Sequence, residues 1–213
     1  MARPREFDEE AVLEAAGNAF WTRGFEATST RELVAETGLT PSSLYAAFGD
    51  KRALFRRALE HYLARTLRER MDRLEATKSP AHAITGFFHE VIARSVDDRL
   101  QRGCMLVNAA LEASPADAEL RDAVARELAL IERFFHRCFR AGQKAGEISA
   151  AHSADDAAKL LYAVLLGVRV LARVRPERAL LTAAVRQALA LLDLPSLPRT
   201  KGASTPRRKS GDR

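Results

Sequence analysis

The stretch Ser29–Tyr45, STRELVAETGLTPSSLY, carries the signals of two short helices joined by a tight turn. Its opening serine and Glu32 fit a capping box, in which each side chain accepts a hydrogen bond from the backbone N–H of the other residue. Gly38 is placed to end the first helix in a left-handed conformation. Thr40 then caps a second helix that opens on a proline, whose missing N–H costs nothing there. This order predicts a helix-turn-helix over about 29–48, a unit that lays its second helix in the major groove of DNA.

The tip of the second helix carries short polar side chains. The first residues of a recognition helix are the ones that meet base edges. Thr40, Ser42 and Ser43 can bond bases or phosphates, and Tyr45, one turn later, can bond a phosphate. Lys51 begins a further helix next to unpaired backbone N–H groups, which favours a phosphate. On these signals alone, an ordinary helical hairpin with well-capped ends remains the alternative.

Residues of about 7 to 55 resemble the DNA-binding domain of the TetR family of bacterial transcriptional regulators (TetR/AcrR type). The resemblance lies in AAGNAFWTRGF at 15–25, TSTRELV at 28–34 and LTPSSLYAAFGDK at 39–51. It implies a ligand-responsive homodimeric repressor that leaves a near-palindromic operator in double-stranded DNA when an inducer binds. By analogy, the DNA contacts come from Thr30, Arg31, Thr40, Ser42, Ser43, Tyr45 and Lys51.

Two features of the sequence leave the DNA target open. The tip of the recognition helix lacks Arg, Lys, Asn and Gln, so the side chains that read bases through paired hydrogen bonds are not there. Repression, as opposed to activation, follows from the resemblance alone. The sequence therefore specifies neither the operator nor the inducer.

From its composition we expect a folded cytoplasmic protein with no membrane-spanning segment. Hydrophobic residues make up 47% and charged residues 29%, a normal balance for a globular domain. Two cysteines do not make a disulfide framework. The first ten residues are polar rather than a hydrophobic signal segment, and the apolar run Leu160–Val168 is far shorter than the ~20 residues of a membrane helix.

Apolar residues recur with helical spacing along the chain, and no strand pattern is visible. The sequence thus predicts an all-α fold with an N-terminal three-helix DNA-binding domain over 1–55. A long connecting helix, 56–79, leads to a helical effector-binding and dimerisation domain over 80–194. The last two helices, about 154–192, carry more apolar surface than one subunit can bury, which predicts a homodimer through a four-helix bundle.

The C-terminal end is expected to be a disordered basic tail over 195–213. The net charge of the chain is +6, and residues 199–213 hold six Lys or Arg and one Asp, a net charge of +5. Such a segment can add salt-sensitive affinity for DNA or only keep the protein in solution. The two roles are equally compatible with the composition.

The C-terminal domain holds the candidates for binding a small-molecule inducer. Asn108, His89 and His136 are polar groups that would orient a ligand. For every candidate in this domain, packing in the core is the alternative. The aromatic candidates are Phe87, Phe88, Phe134, Phe135, Phe139 and Tyr162.

Cys104 raises a second functional hypothesis, a repressor that senses oxidants or electrophiles through a thiol. The residue follows Gly103 at the start of an apolar helix, and a helix N-terminus stabilises the thiolate form of a cysteine. Residues 103–112, GCMLVNAALE, also resemble TetR-type regulators, some of which sense through a cysteine. A buried structural cysteine is the alternative, and Cys138, on an apolar helix face, is interpreted as structural.

Enzymatic, metal-binding and architectural functions find little support in the sequence. A nucleophile elbow, a phosphate-binding glycine loop and a zinc-protease motif are all missing, so we expect no enzyme, with a helical enzyme as the remote alternative. The five histidines are scattered with no pair four residues apart, so we expect neither metal nor cofactor. A purely architectural DNA-binding protein would need an extensive basic surface on its folded part.

Overall fold

Helices supply all the regular secondary structure in residues 7–115 and 117–198, the part of the chain that this computed structural model describes. The predicted all-α fold is therefore confirmed. The helix that follows the N-terminal three, α4, runs through Lys51–Leu63, a π-helical stretch Ala64–Arg68 and Glu69–Thr77. The others are α1 (Glu9–Arg23), α2 (Thr30–Thr37), α3 (Pro41–Phe48), α5 (Pro80–Asp97), α6 (Met105–Glu112), α7 (Ala118–Lys144), α8 (Ala154–Val174) and α9 (Arg178–Leu191).

The helix boundaries of the N-terminal domain follow from local hydrogen bonds. The Ser29 hydroxyl accepts from the Glu32 N–H at 3.2 Å, and the Glu32 carboxylate accepts from the Ser29 N–H at 2.8 Å. Gly38 ends α2 with φ 69° in the left-handed region. The Thr40 hydroxyl caps α3 by accepting from the Ser43 N–H at 3.2 Å. The capping box, the glycine stop and the second cap are thus formed as predicted.

A small aromatic and aliphatic core holds the three N-terminal helices on the first half of α4. Leu33 of α2 and Leu44 of α3 are fully buried in it. The Phe20 ring of α1 meets the Phe55 ring of α4 edge-on, with 5.1 Å between centroids. Because α4 also continues into the C-terminal domain, this packing fixes the DNA-binding domain to the helix that leaves it.

Helix α4 links the two domains, as predicted, but its middle is not a regular α-helix. The π-helical stretch Ala64–Arg68 lies where the helix passes from one domain to the other. Such stretches are rare and are frequent at functional sites. The side chains of Thr66 and Leu67, within it, face the cavity described below.

The C-terminal domain packs α5, α7, α8 and α9 around a core in which four phenylalanine rings contact one another. Leu197, beyond the last helix, still packs against this core. The predicted disordered tail therefore does not include Leu197, and its part from residue 199 onward lies outside the described residues. In the part of the chain that the structure describes, no helix is long and apolar enough to cross a membrane.

Candidate nucleic-acid interface and effector cavity

Three hydroxyl groups cluster at the exposed tip of α3. The Thr40 Oγ1 atom lies 3.0 Å from Ser42 Oγ and 2.9 Å from Ser43 Oγ, and all three residues are exposed. The capping bond of Thr40 fixes the orientation of this group at the positive end of the helix. The tip therefore presents hydroxyl donors and acceptors to solvent.

Tyr45 ties the recognition helix to the helix before it. Its hydroxyl lies 2.5 Å from Thr30 Oγ1 on α2. Arg31, the next residue of α2, is exposed. The contact brings two predicted DNA-binding residues of different helices together, so one phosphate could reach both hydroxyl groups.

Lys51 is anchored inside the domain as well as being a candidate for a phosphate. Its Nζ atom donates to the backbone oxygen of Glu26 at 3.2 Å and lies 4.7 Å from the centroid of the Phe25 ring. An ammonium group has three donors, so these contacts leave donors for a phosphate. They also hold the Phe25 turn against the start of α4.

A carboxylate of the C-terminal domain reaches into the DNA-binding domain at the turn after α1. Glu112, the last residue of α6, accepts a 2.6 Å hydrogen bond from the backbone N–H of Phe25. A Cβ atom on Gly24 would lie 2.6 Å from Glu112 Oε1, so only glycine leaves room for this carboxylate. Glu112 could not be identified from the sequence, since the two partners are 87 residues apart.

Arg102 makes a second contact between the domains. Its guanidinium stacks over the Trp21 ring of α1, with 3.8 Å to the centroid. Its NH1 atom donates to Asn18 Oδ1 at 3.4 Å, and Asp98 pairs with the same guanidinium at 3.2 Å. The loop between α5 and α6 is thereby pinned to the outer face of α1.

A narrow cavity, here called the effector cavity, lies between α4, α5, α6, α7 and α8. Most of its wall is apolar, and the centre of a water molecule can occupy only about 20 Å³ of it. That is room for about one water molecule. The lining residues are Tyr62, Leu63, Thr66, Leu67, Arg70, Phe87, Val91, Cys104, Leu106, Val107, Ile131, Leu165, Leu166 and Arg169.

Two arginines, neither of them predicted from the sequence, interrupt this apolar wall. Arg70 of α4 is only 4% exposed and forms an ion pair with Glu90 at 3.3 Å. Burial, together with the nearby charges of Arg169 and Arg94, lowers the pKa of Arg70 to about 10. Arg169 of α8 bonds the hydroxyl of Ser95 at 3.2 Å.

Tyr62 brings a phenol to the same wall. Burial raises the pKa of Tyr62 to about 12, and the neighbouring Cys104 thiol adds to the rise. The ring also packs against Trp21 of α1, with 5.0 Å between centroids. Tyr62 therefore touches the effector cavity and the DNA-binding domain at once.

Of the aromatic ligand candidates, Phe87 lies on the wall of the effector cavity. Phe88, Phe134 and Phe135 are fully buried behind it, in the phenylalanine core. Tyr162 lies half-buried on α8, away from the lining residues. Only the first of these residues faces the cavity, and a ligand-binding role for the others stays a prediction.

Asn108 and the predicted polar ligand-binding residues do not line the effector cavity. The Asn108 side chain donates to the backbone oxygen of Arg102 at 2.9 Å and so braces the loop before α6. His136 lies 3.2 Å from Asp155 on the surface. Among the described residues, no group of three or more His, Cys, Asp or Glu could hold a metal ion.

The two thiols differ in their surroundings. Cys104 is partly exposed, precedes α6 and lies on the cavity wall. Cys138 is buried on α7, and burial beside Glu75 raises its pKa to about 12. Cys104, the candidate sensor thiol, is thus the more exposed of the two cysteines.

Fold and site together define a helix-turn-helix protein with a helical C-terminal domain. The family described as "Bacterial regulatory proteins, tetR family" matches residues 12–58, and the one described as "Tetracyclin repressor-like, C-terminal domain" matches residues 80–188. The chain belongs to the TetR family of bacterial regulatory proteins. The predicted DNA-binding transcriptional regulator is confirmed.

Two relatives and two solved structures illustrate the similarity. The chain is 33% identical to the uncharacterized HTH-type transcriptional regulator YezE of Bacillus subtilis (strain 168), over 91% of this chain and 100% of that protein. It is 30% identical to the HTH-type transcriptional repressor ComR of Escherichia coli (strain K12), over 80% of this chain and 82% of that protein.

Among solved structures, a cysteine mutant of the TetR family regulator CifR, bound to 26-base-pair operator DNA, is 38% identical with a TM-score of 0.80. The match covers 88% of this chain and 98% of that one. The reduced form of Escherichia coli NemR shares the fold, with a TM-score of 0.77 at 19% identity over 87% of this chain and 98% of that one.

Proposed function

We propose that this protein is a homodimeric repressor that releases its operator when a small molecule opens the effector cavity. The observation that carries the proposal is a pair of contacts between the two domains. One joins the end of α6 to the turn after α1, and the other joins the loop before α6 to α1 itself. Cys104 at one end of α6 touches the cavity, and Glu112 at the other end holds the Phe25 N–H. A ligand that displaces α6 therefore acts directly on the DNA-binding domain.

The recognition helix would read DNA through the hydroxyl cluster at its tip. Thr40, Ser42 and Ser43 would meet base edges or phosphates, while Tyr45 and Thr30 would share a phosphate. Arg31 and Lys51 would add charge contacts to the backbone. Support comes from the CifR mutant, a regulator 38% identical to this chain that was solved on operator DNA.

An exposed face on the last two helices would form the dimer. Ala163, Gly167, Val170 and Val174 lie on one exposed face of α8. Val174 is 68% exposed, and Leu191 of α9 is 65% exposed. Apolar residues grouped in this way mark an interaction surface, and a twofold dimer through it would present two recognition helices to a near-palindromic site.

Ligand control would follow from the small size of the cavity. A cavity with room for about one water molecule cannot admit an inducer unless its wall moves. An inducer then binds only the opened state and shifts the population toward it. The opened state would hold the two recognition helices at a separation that does not match the operator. Operator affinity would then fall by an amount set by the difference between the DNA-binding free energies of the closed and opened states.

A DNA-binding measurement tests the proposal. A genome-wide binding selection with the purified protein identifies a target fragment, and fluorescence anisotropy then compares it with scrambled DNA. We expect Tyr45→Phe to lower affinity for the fragment about tenfold or more, because a hydrogen bond to a charged phosphate is lost. Tyr162→Phe, the same atomic change on α8, should leave affinity unchanged.

The same preparation tests the dimer. Light scattering of the protein–DNA complex should give two chains, or a multiple of two, per site. A selection that enriches no sequence, or an unchanged affinity of the Tyr45 variant on a selected fragment, would falsify the proposed DNA-reading mode.

Thiol sensing at Cys104 is a second candidate function, favoured by the position of this residue on the cavity wall. Modification of Cys104 would add atoms to a cavity that has almost no free space. It would therefore displace α6 as a bound ligand would. Alkylation by a small electrophile, or diamide oxidation together with a small thiol that forms a mixed disulfide with Cys104, would then release the DNA, and Cys104→Ser protein would stay bound.

Labelling with a thiol reagent measures the accessibility on which this candidate depends. Near pH 8 the Cys138 thiol, whose pKa burial raises to about 12, stays protonated and therefore reacts slowly. We expect one cysteine per native chain to react, with Cys104→Ser protein unreactive and Cys138→Ser protein reacting like wild type. Fast labelling of Cys104→Ser protein would contradict this assignment.

A further inference from the structure

The charges around the effector cavity do not balance. Arg70 lies on the wall in a buried position, and its one ion-pair partner among the described residues, Glu90, is shared with Arg73, which donates to it at 2.7 Å and 2.9 Å. The positive charge of Arg94 is close enough to lower the pKa of Arg70. The cavity wall therefore carries an excess of positive charge.

Arg169 adds to this excess. Its NH1 atom bonds a neutral hydroxyl, that of Ser95, at 3.2 Å. In residues 7–115 and 117–198 no carboxylate lies within ion-pair distance of its guanidinium. The Arg70 Nε–H is also buried without a hydrogen-bond acceptor at good geometry. A buried donor without an acceptor costs free energy that a suitable ligand would recover.

The rest of the cavity wall determines the chemistry that the uncharged part of the ligand must have. Leu67, Leu106, Ile131 and Leu166 line the space next to the arginines and offer hydrocarbon surface. Tyr62 and Thr66 add hydroxyl groups on the same side as Arg70, since all three belong to α4. A ligand that fits this wall is apolar over most of its surface and negatively charged at one end.

We infer that the effector cavity binds a small carboxylic acid with a hydrocarbon or aromatic body, its carboxylate held between Arg70 and Arg169. Guanidinium groups bind carboxylates with charge-assisted hydrogen bonds and often in pairs. Arg169 is partly exposed, whereas Arg70 is buried, so Arg169 is the member of the pair nearer to solvent. This inference rests on the proposed function, because it names the chemical class of the inducer.

Trp21 gives a direct readout of binding that needs no DNA. It is the chain's single tryptophan and packs on Tyr62, a cavity-lining residue. The full-length protein is titrated with phenylacetate and with hexanoate, each against its neutral counterpart, 2-phenylethanol or 1-hexanol. We expect saturable changes in emission, with each acid binding at least about tenfold more tightly than its alcohol.

Substitution of Arg169 separates charge recognition from a general effect on the fold. Arg169→Gln should weaken the preference for the acid, because Arg70 alone is left to hold the carboxylate, and Arg169→Lys should keep more of the preference. Arg186→Gln, the same change at an exposed position of α9 outside the cavity wall, should behave like wild type. Equal affinity for acid and alcohol overturns the inference, and so does the absence of saturable acid binding up to about 10 mM.

Operator release, measured separately by anisotropy, distinguishes the inference from the function on which it rests. An acid that binds but leaves DNA affinity unchanged supports the ligand class and contradicts effector control. A neutral apolar molecule that releases DNA, where the acids do not bind, supports effector control and overturns the ligand class.

Discussion

Gly24→Ala is expected to lower the free energy of unfolding by about 2–5 kcal/mol. Gly24 has φ 89° and ψ 166°, a region of backbone space that is essentially restricted to glycine. The new Cβ atom would also lie 2.6 Å from Glu112 Oε1. Glu112 cannot move away without loss, because its carboxylate holds the Phe25 N–H at 2.6 Å.

The measurement is urea denaturation of the full chain, with Gly38→Ala as the matched control. Gly38 also has a positive φ of 69°, but a Cβ atom there meets nothing within 4 Å. The control variant should therefore lose only the left-handed strain, about 1–2 kcal/mol. If Gly24→Ala costs no more than Gly38→Ala, the close approach of Glu112 does not exist in solution.

A double-mutant cycle with Glu112→Ala separates the two causes. Removing the carboxylate relieves the collision with Ala at position 24 but not its backbone strain. The two substitutions should therefore cost less together than the sum of their separate costs, with a coupling of about 1–2 kcal/mol. Additive costs would mean that α6 does not press on this turn, and the coupling route in the proposed function would be lost.

The cap and turn features of the N-terminal domain could be predicted from sequence because they are made between near neighbours. Ser29 and Glu32 are three residues apart, and their reciprocal bonds depend on little else. Gly38 and Thr40 act in the same way, through a backbone conformation and one hydroxyl. The positions of the helices followed from these signals and from apolar spacing.

The contacts between distant helices could not be predicted in this way. Apolar periodicity tells which face of a helix is buried, but not which buried faces meet. Tyr62, Arg70 and Arg169 come together from two helices about a hundred residues apart in sequence. One signal was available, since Arg70 occupies the apolar stripe of α4, between Leu67 and Leu74.

The same limit applies to the aromatic candidates. Phe87 and Phe88 are adjacent, as are Phe134 and Phe135, so their spacing did not say which would face a cavity. The structure turns Phe87 to the cavity wall and stacks Phe88 on Phe135, with 5.4 Å between centroids and 10° between ring planes. The packing of α5 against α7 determines which of these rings lines the cavity and which lies in the core.

Phe135→Ala is expected to lower the free energy of unfolding by about 3–5 kcal/mol. Its ring is fully buried and touches those of Phe87, Phe88 and Phe134, with 5.4, 5.4 and 5.5 Å between centroids. Truncation leaves a cavity in the centre of the domain that its neighbours cannot fill without leaving their own rotamers. Thermal and urea unfolding of the full chain measure the loss.

Tyr162→Ala is the control, since this half-buried ring was a ligand candidate on the same sequence grounds. Its cost should stay below about 1.5 kcal/mol, because less contact is lost at a partly exposed position. Phe135→Leu, which keeps much of the volume, should recover over half of the loss. The opposite pattern, a stable Phe135→Ala protein whose affinity for hexanoate changes by tenfold or more, would move Phe135 from the core to the ligand site. The expected pattern leaves the wall of the effector cavity to Phe87 alone among the four phenylalanines, with the Arg70 guanidinium 5.7 Å from the centroid of its ring.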